Sequence, residues 1–143
     1  MSVLAWTAIS ALATGAVAHV WSQQARRERE QQLLRVGAIY AHAIDNYRSM
    51  SPGTVKHYPA TLDDLLLDTR FVHAVRHLRR PYTDPVNPGK PWGLLHDANG
   101  RITGVHSLSQ DEPVSKIAPV VDGVRLDSAT RYSQWRFFRE PQP

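Results

Sequence analysis

The start of this chain constrains its structure most, because the first 25 residues contain no Asp, Glu, Lys or Arg. All 30 of the chain's Asp, Glu, Lys and Arg residues therefore lie in residues 26–143. A helix over the uncharged segment would be about 37 Å long, enough to cross a bilayer core of about 30 Å. We predict that residues 1–25 form a retained transmembrane helix and that residues 26–143 form one globular domain.

Two other interpretations of this segment stay open. Ala16-Val17-Ala18 has the small-x-small form of a cleavage site, which would make the segment a signal peptide, although no positive n-region precedes it. The segment is also rich in alanine, so its insertion into a membrane is less favourable than that of a Leu/Ile run, and a buried helix of a soluble protein is the other interpretation. Cysteine is absent, and this fits the cytosol and the periplasm equally well.

The helical pattern continues beyond the uncharged segment. Residues 23–32 are mostly strong helix formers. An apolar stripe at alternating spacings of three and four follows them, formed by Leu33, Val36, Tyr40, Ala43, Tyr47 and Met50. Ser51-Pro52-Gly53 is a stop signal. The sequence predicts one helix of about 50 residues whose last part packs on the domain's own core, and the stripe is too short to favour a coiled coil.

The residues beyond the long helix predict a short helix, a loop and a β-hairpin. Thr61 begins a short helix whose buried face is formed by Leu62, Leu65 and Leu66. Residues 81–91 contain four prolines, which predicts a loop. Asn99-Gly100 lies between two strand-like runs, 92–96 and 101–108, which predicts a β-hairpin.

The end of the chain completes this prediction. Residues 110–128 are polar and predict irregular structure, and the alternation over 132–138 predicts an edge or closing strand. The predicted fold class is α+β, with a long N-terminal helix on a small antiparallel sheet.

A basic stretch covers residues 70–80, and no acidic residue occurs between Thr69 and Thr83. We interpret it as a salt-bridged or partner-facing surface formed by Arg70, Arg76, Arg79 and Arg80. Interleaved aromatic residues are missing, which argues against nucleic-acid binding. His73 and His77 have a spacing that could bind a metal from one helix face, but no third ligand accompanies them, so we predict no metal site.

The sequence carries no recognisable catalytic constellation. It has no Ser nucleophile elbow, no Cys, no Gly-rich phosphate loop and no HExxH motif. We therefore predict no catalytic residues, no enzymatic activity and no cofactor.

Several short segments occur in an order that resembles one known family. They are Arg27-x-Arg29-Glu30, Ala43-Ile44-Asp45-Asn46-Tyr47, Tyr58-Pro59-x-Thr61-Leu62-x-x-Leu65-Leu66, Leu78-Arg79-Arg80 with Asp84-Pro85, Trp92-Gly93-Leu94 and Gly104-Val105-His106-Ser107. Over residues 26–138 the chain resembles a pseudopilin of the type II secretion system, closest to the major type, within the wider type IV pilin-like family. No single motif is specific, and the ordered combination behind an apolar helix carries the resemblance.

The resemblance implies a structural protein of the bacterial inner membrane with its globular part in the periplasm. Such subunits assemble with copies of themselves and with other pseudopilins on an inner-membrane assembly platform, and the filament supports protein export across the outer membrane. Small residues recur at three- and four-residue spacing in the N-terminal helix, at Ala8, Ala11, Gly15 and Ala18. Such residues would let neighbouring helices approach closely.

The major pseudopilins usually bind calcium in a C-terminal loop. Asp111, Asp122 and Asp127 lie in the corresponding stretch, but their spacing is not diagnostic. We interpret them as solvated loop acids and leave calcium as the less favoured alternative.

The sequence departs from the family at its start. The family's basic leader and its Gly-Phe-Thr-x-x-Glu processing motif do not occur in it, so we expect either an in-frame start upstream or a diverged, unprocessed member. Arg26, Arg27 and Arg29 alone would place the domain in the cytoplasm by the positive-inside rule, and a basic leader would remove this conflict. Two alternatives to the filament subunit are a membrane-tethered adaptor that binds a partner through residues 70–80 and a cytosolic nucleic-acid binder that uses the same patch.

Overall fold

Helix α1 (Ser2–Ser49) dominates the structure, a computed structural model that describes residues 2–117 and 119–140, with side chains from residue 17 onward. The helix runs without a break through the predicted boundary between residues 25 and 26. It ends before Pro52, which cannot continue a helix, and Gly53 has a φ of 81°. Within the described part of the chain, no helix is both long and apolar enough to cross a membrane.

The predicted apolar stripe is largely confirmed as the face of α1 that packs on the core. Its buried members are Leu33, Tyr40, Ala43 and Tyr47, while Val36 is half-buried. Met50 was predicted wrongly, since it lies one residue beyond the helix and is exposed. The buried face is also wider than the stripe, because it includes Ala38, Ala41 and Ile44.

Among the described residues, five short strands form two sheets. In chain order they are β1 (Gly93–His96), β2 (Ile102–His106), β3 (Val120–Val121), β4 (Val124–Arg125) and β5 (Arg136–Phe138). The larger sheet has the order β1-β2-β5 and is antiparallel throughout, and β3 and β4 form a separate hairpin. Helix α1 packs on β2 and β5, so the α+β class is confirmed.

The predicted hairpin between β1 and β2 is confirmed. The Asp97 side chain accepts hydrogen bonds from the backbone N–H groups of Asn99 (2.8 Å) and Arg101 (2.9 Å). Gly100 adopts a φ of 74°, which glycine reaches without steric cost. Local turn chemistry therefore sets this connection.

The predicted short helix and the predicted loop are both found, and the helix is of the tighter 3-10 type. Residues Leu62–Leu65 form a 3-10 helix, and Asp64 Oδ2 accepts from the backbone N–H of Thr61 at 2.9 Å. The loop over 81–91 is held to the sheet by Asp84, which accepts from the Ser107 hydroxyl at 2.5 Å. Both members of this pair are fully buried.

Two predictions for the C-terminal part need correction. Residues 110–128 are not wholly irregular, because the Asp122-Gly123 turn, with φ values of 48° and 77°, joins β3 to β4. The predicted strand over 132–138 is shorter than expected, since Tyr132–Gln134 forms a 3-10 turn and only β5 pairs with β2.

His42 on α1 holds the small hairpin and the end of the chain together. Its Nε2–H donates to the Asp122 carbonyl at 2.9 Å, while its Nδ1 accepts from Arg139 at 2.9 Å. Arg139 also approaches the Asp45 carboxylate at 3.6 Å. The helix therefore anchors the hairpin turn and the residue that follows β5.

Gly37 allows α1 to approach the sheet closely. A Cβ at this position would overlap the ring of Phe137, which is fully buried in β5. We expect Gly37→Ala to lower the free energy of unfolding by about 1–3 kcal/mol through overpacking, although alanine favours a helix over glycine by about 1 kcal/mol. Urea denaturation followed by tryptophan fluorescence measures this, and Gly37→Ala paired with Phe137→Leu should recover part of the loss.

Candidate functional site

The described N-terminal part of α1 projects from the domain. Among the side chains that the structure describes, Glu30 is the first buried one of α1, and almost every side chain from Val17 to Arg29 is exposed. Val17, Val20 and Trp21 are 55%, 64% and 73% exposed, respectively. The helix thus carries large apolar side chains that its own domain does not cover.

Of the four small residues predicted to form a helix interface, Ala18 lies on this projecting part. Ala18 is exposed and belongs to the same uncovered stretch as Trp21. The side chains of Ala8, Ala11 and Gly15 lie outside the described residues. The helix backbone is continuous through all four positions.

The basic stretch folds as a loop closed by a bridge between Asp68 and Val75, with no helix. The helix-face pairing considered for His73 and His77 is therefore wrong, because His73 is exposed whereas His77 packs against Asp68. Among the described residues, no three His, Cys, Asp or Glu side chains are grouped to hold a metal ion. This applies to Asp111, Asp122 and Asp127 as well.

The four arginines of the predicted partner surface separate into two groups. Arg76, Arg79 and Arg80 are exposed, and the Arg80 guanidinium lies 5.1 Å from the centre of the Tyr82 ring. Arg70 instead points into the domain, where its guanidinium hydrogen-bonds to other residues of the chain. The exposed surface that the stretch offers is therefore formed by three arginines.

Arg70, which is half-buried, and Asp68, which is fully buried, form the centre of an ionic cluster. Arg70 Nε and Nη2 donate to the two Asp68 carboxylate oxygens at 2.8 and 2.6 Å, a bidentate pair. His77 Nε2 lies 3.0 Å from Asp68 Oδ2. Hydrogen bonds from Arg70 and His77 hold the pKa of Asp68 well below its usual value, despite its burial.

The same guanidinium caps the C-terminal end of α1. Arg70 Nη2 donates to the Tyr47 carbonyl at 2.8 Å, and Nη1 donates to the Ser51 hydroxyl at 2.7 Å. The guanidinium carbon lies 3.5 Å from the centre of the Tyr47 ring, a cation–π contact. A positive group at a helix C-terminus also interacts favourably with the helix dipole.

Glu30 forms a second buried anchor at the other end of the helix's buried half. Its carboxylate accepts from the backbone N–H groups of Val114 (2.6 Å) and Ser115 (3.0 Å) and from the Tyr132 hydroxyl (2.9 Å). Burial raises the pKa of Tyr132, and the adjacent Glu30 carboxylate raises it further. One carboxylate thus fixes the loop around residues 114 and 115 to α1.

The buried roles of Glu30 and Asp68 were not predicted from the sequence, although a signal was present for Glu30. Glu30 precedes Leu33 by three residues, so it lies on the same helix face as the apolar stripe. A charge on a buried face requires partners, which could have been sought. Asp68 offered no comparable signal, because it follows two first-turn acids that lie largely at the surface.

Comparisons of the chain with protein-family models, with curated proteins and with solved structures find no match.

Proposed function

We propose that this chain is a structural subunit of a type II secretion pseudopilus or a related pilin-like filament. The observation that carries the proposal is the uncovered apolar surface on the projecting part of α1. The ordered resemblance of residues 26–138 to a pseudopilin supports it independently. The domain would follow the pilin-like arrangement, in which a long N-terminal helix lies across an antiparallel sheet.

The physical reason concerns exposed apolar area. Val17, Val20 and Trp21 face solvent in the isolated chain, and removing such area from water is favourable by about 25 cal/mol per Å². Packing between helices of neighbouring subunits, or immersion in lipid, would cover them. A helix suits both environments because it satisfies its own backbone hydrogen bonds.

In this proposal the helix anchors the subunit in the bacterial inner membrane and the domain lies in the periplasm. Assembly partners would be copies of the chain, other pseudopilins and the inner-membrane assembly platform. Ala18, with Ala8, Ala11 and Gly15, would form the close contact between helices. The subunit would work by assembly and would support protein export across the outer membrane.

Cysteine crosslinking tests the assembly step, and the absence of natural cysteines makes each introduced thiol unique. We expect Ala18→Cys to give disulfide-linked dimers in the membrane fraction of the native host. Val72→Cys is the matched control, since Val72 is 97% exposed on the domain and should not crosslink. Equal crosslinking of the two variants would contradict a specific helix interface.

Fractionation tests the membrane step separately. We expect the chain to sediment with membranes in a detergent-free high-speed spin and to be released by detergent. Recovery of the entire protein in the supernatant would overturn the anchored filament subunit.

The adaptor remains the second candidate, favoured by the exposed Arg76, Arg79 and Arg80. It requires membrane association without contact between copies. Membrane sedimentation with no crosslinking at Ala18→Cys would therefore favour the adaptor over the filament subunit.

A further inference from the structure

A cleft of about 440 Å³ lies between α1 and the segment that follows the basic stretch. Its polar lining consists of Gln32 and Arg35 from the helix and of Arg80 and Thr83 from the loop, while Val36 and Tyr82 contribute to its apolar wall. Sites for small ligands commonly have volumes of about 300–1,000 Å³ and combine an apolar wall with a few convergent polar groups.

The charge of this cleft is positive and uncompensated. Among the described residues, no carboxylate oxygen lies within 4.0 Å of the Arg35 or Arg80 guanidinium nitrogens. No acidic residue lines the cleft. Arg70 differs sharply, since its charge is neutralised by Asp68. Two guanidinium groups thus face one cavity without an internal counter-ion.

The loop side of the cleft is held in place before any ligand arrives. The Tyr40 hydroxyl donates to the Tyr82 carbonyl and accepts from the Tyr82 N–H, both at 3.1 Å. The Trp92 indole N–H donates to the same carbonyl at 2.8 Å. The Tyr82 ring in turn supports the Arg80 guanidinium. Such preorganisation reduces the entropy lost on binding.

We propose that this cleft binds the phosphate group of a phosphomonoester. Guanidinium groups match phosphate oxygens with parallel hydrogen bonds, and two of them balance a group whose charge is about −2 at neutral pH. The Thr83 hydroxyl and the Gln32 amide add neutral donors. The apolar wall leaves room for the organic part of the ester.

Titration of the full chain in a maltoside detergent with glycerol 3-phosphate, followed by NMR, tests the proposal. We expect saturable shifts, and we expect Arg35→Gln and Arg80→Gln each to weaken binding at least about tenfold, as for loss of one charged hydrogen-bonding partner. Arg76→Gln is the matched control, because Arg76 belongs to the same basic surface but does not line the cleft. Unchanged amide spectra outside the cleft would show that the variants fold.

A second arm distinguishes a soluble ester from a lipid that carries the same group. Flotation with phosphatidic acid vesicles, compared with phosphatidylcholine vesicles, reports the lipid form, and binding there must also depend on Arg80. Dependence on Arg35 and Arg80 in either arm supports the proposal. Absence of binding in both arms, or equal weakening by Arg76→Gln, overturns it. Neither result bears on crosslinking at Ala18→Cys, so this cleft and the filament proposal can fail separately.

Discussion

Asp68→Ala is expected to lower the free energy of unfolding by about 2–4 kcal/mol, because it removes a buried carboxylate that accepts charged hydrogen bonds from the half-buried Arg70. Asp68 is 1% exposed, and its loss would leave Arg70 and His77 without their acceptor. The Arg70 contacts with Tyr47 at the end of α1 would weaken as well. Urea denaturation of the full chain measures the loss through its four tryptophans.

Asp63→Ala provides the matched control for this variant. Asp63 lies in the same short acidic segment but is exposed, so its removal should change stability by less than about 0.5 kcal/mol. A similar loss in the two variants would mean that net charge, and not the pair of Asp68 with Arg70, accounts for the effect.

The contribution of Asp68 should also depend on pH. Its pKa in the folded chain lies below the unfolded value of about 3.9, so the carboxylate stabilises the fold fully at neutral pH. This stabilisation is lost as the pH falls below about 4 toward the lowered folded-state pKa. The stability difference between the natural chain and Asp68→Asn should therefore shrink between pH 7 and pH 3, and a constant difference would contradict the ionic origin.

Glu30→Ala is expected to lower the free energy of unfolding by about 3–4 kcal/mol, since three donors lose one charged acceptor and each such bond contributes about 1.5–3 kcal/mol non-additively. The Tyr132 hydroxyl would lose the carboxylate to which it donates. Hydrogen exchange at the Val114 and Ser115 amides should accelerate more than exchange in β2. This local readout separates release of the loop from general destabilisation.

Three further variants sharpen this test. Glu28→Ala removes a carboxylate two residues away that is exposed and contacts only Gln24 among the described hydrogen bonds, so little change is expected. Tyr132→Phe removes one of the three donors and should cost about 1–2 kcal/mol. Trp135→Phe should lose no hydrogen-bond stability, because the buried Trp135 Nε1 has no partner among the described residues. If Tyr132→Phe left the free energy of unfolding unchanged, the hydrogen bond from the Tyr132 hydroxyl to Glu30 would not contribute to stability.

The features that the sequence predicted are those with local causes. The periodicity of α1, its stop at Pro52 and the Asn99-Gly100 turn each depend on residues a few positions apart, and all three were found. The Asp122-Gly123 turn carried the same kind of local signal and was overlooked.

The buried acids could not be predicted in the same way, because their partners are distant or require a specific loop shape. Tyr132 lies 102 residues from Glu30, and only the fold brings them together. Asp68 reaches Arg70 and His77 because the basic stretch turns back on itself, which its helix-like spacing of histidines did not suggest. Long-range pairing for Glu30 and the loop shape for Asp68 thus determined contacts that composition and spacing did not predict.

The position of Glu30 bears on how a force on the projecting part of α1 would reach the domain. It is the point at which α1 leaves the domain, and it is also where the loop of Val114 and Ser115 is fastened. Glu30 is the first described buried side chain that a pull or twist on the projecting part of α1 would reach. Load on the helix would therefore be transmitted first to a segment more than eighty residues further along the chain.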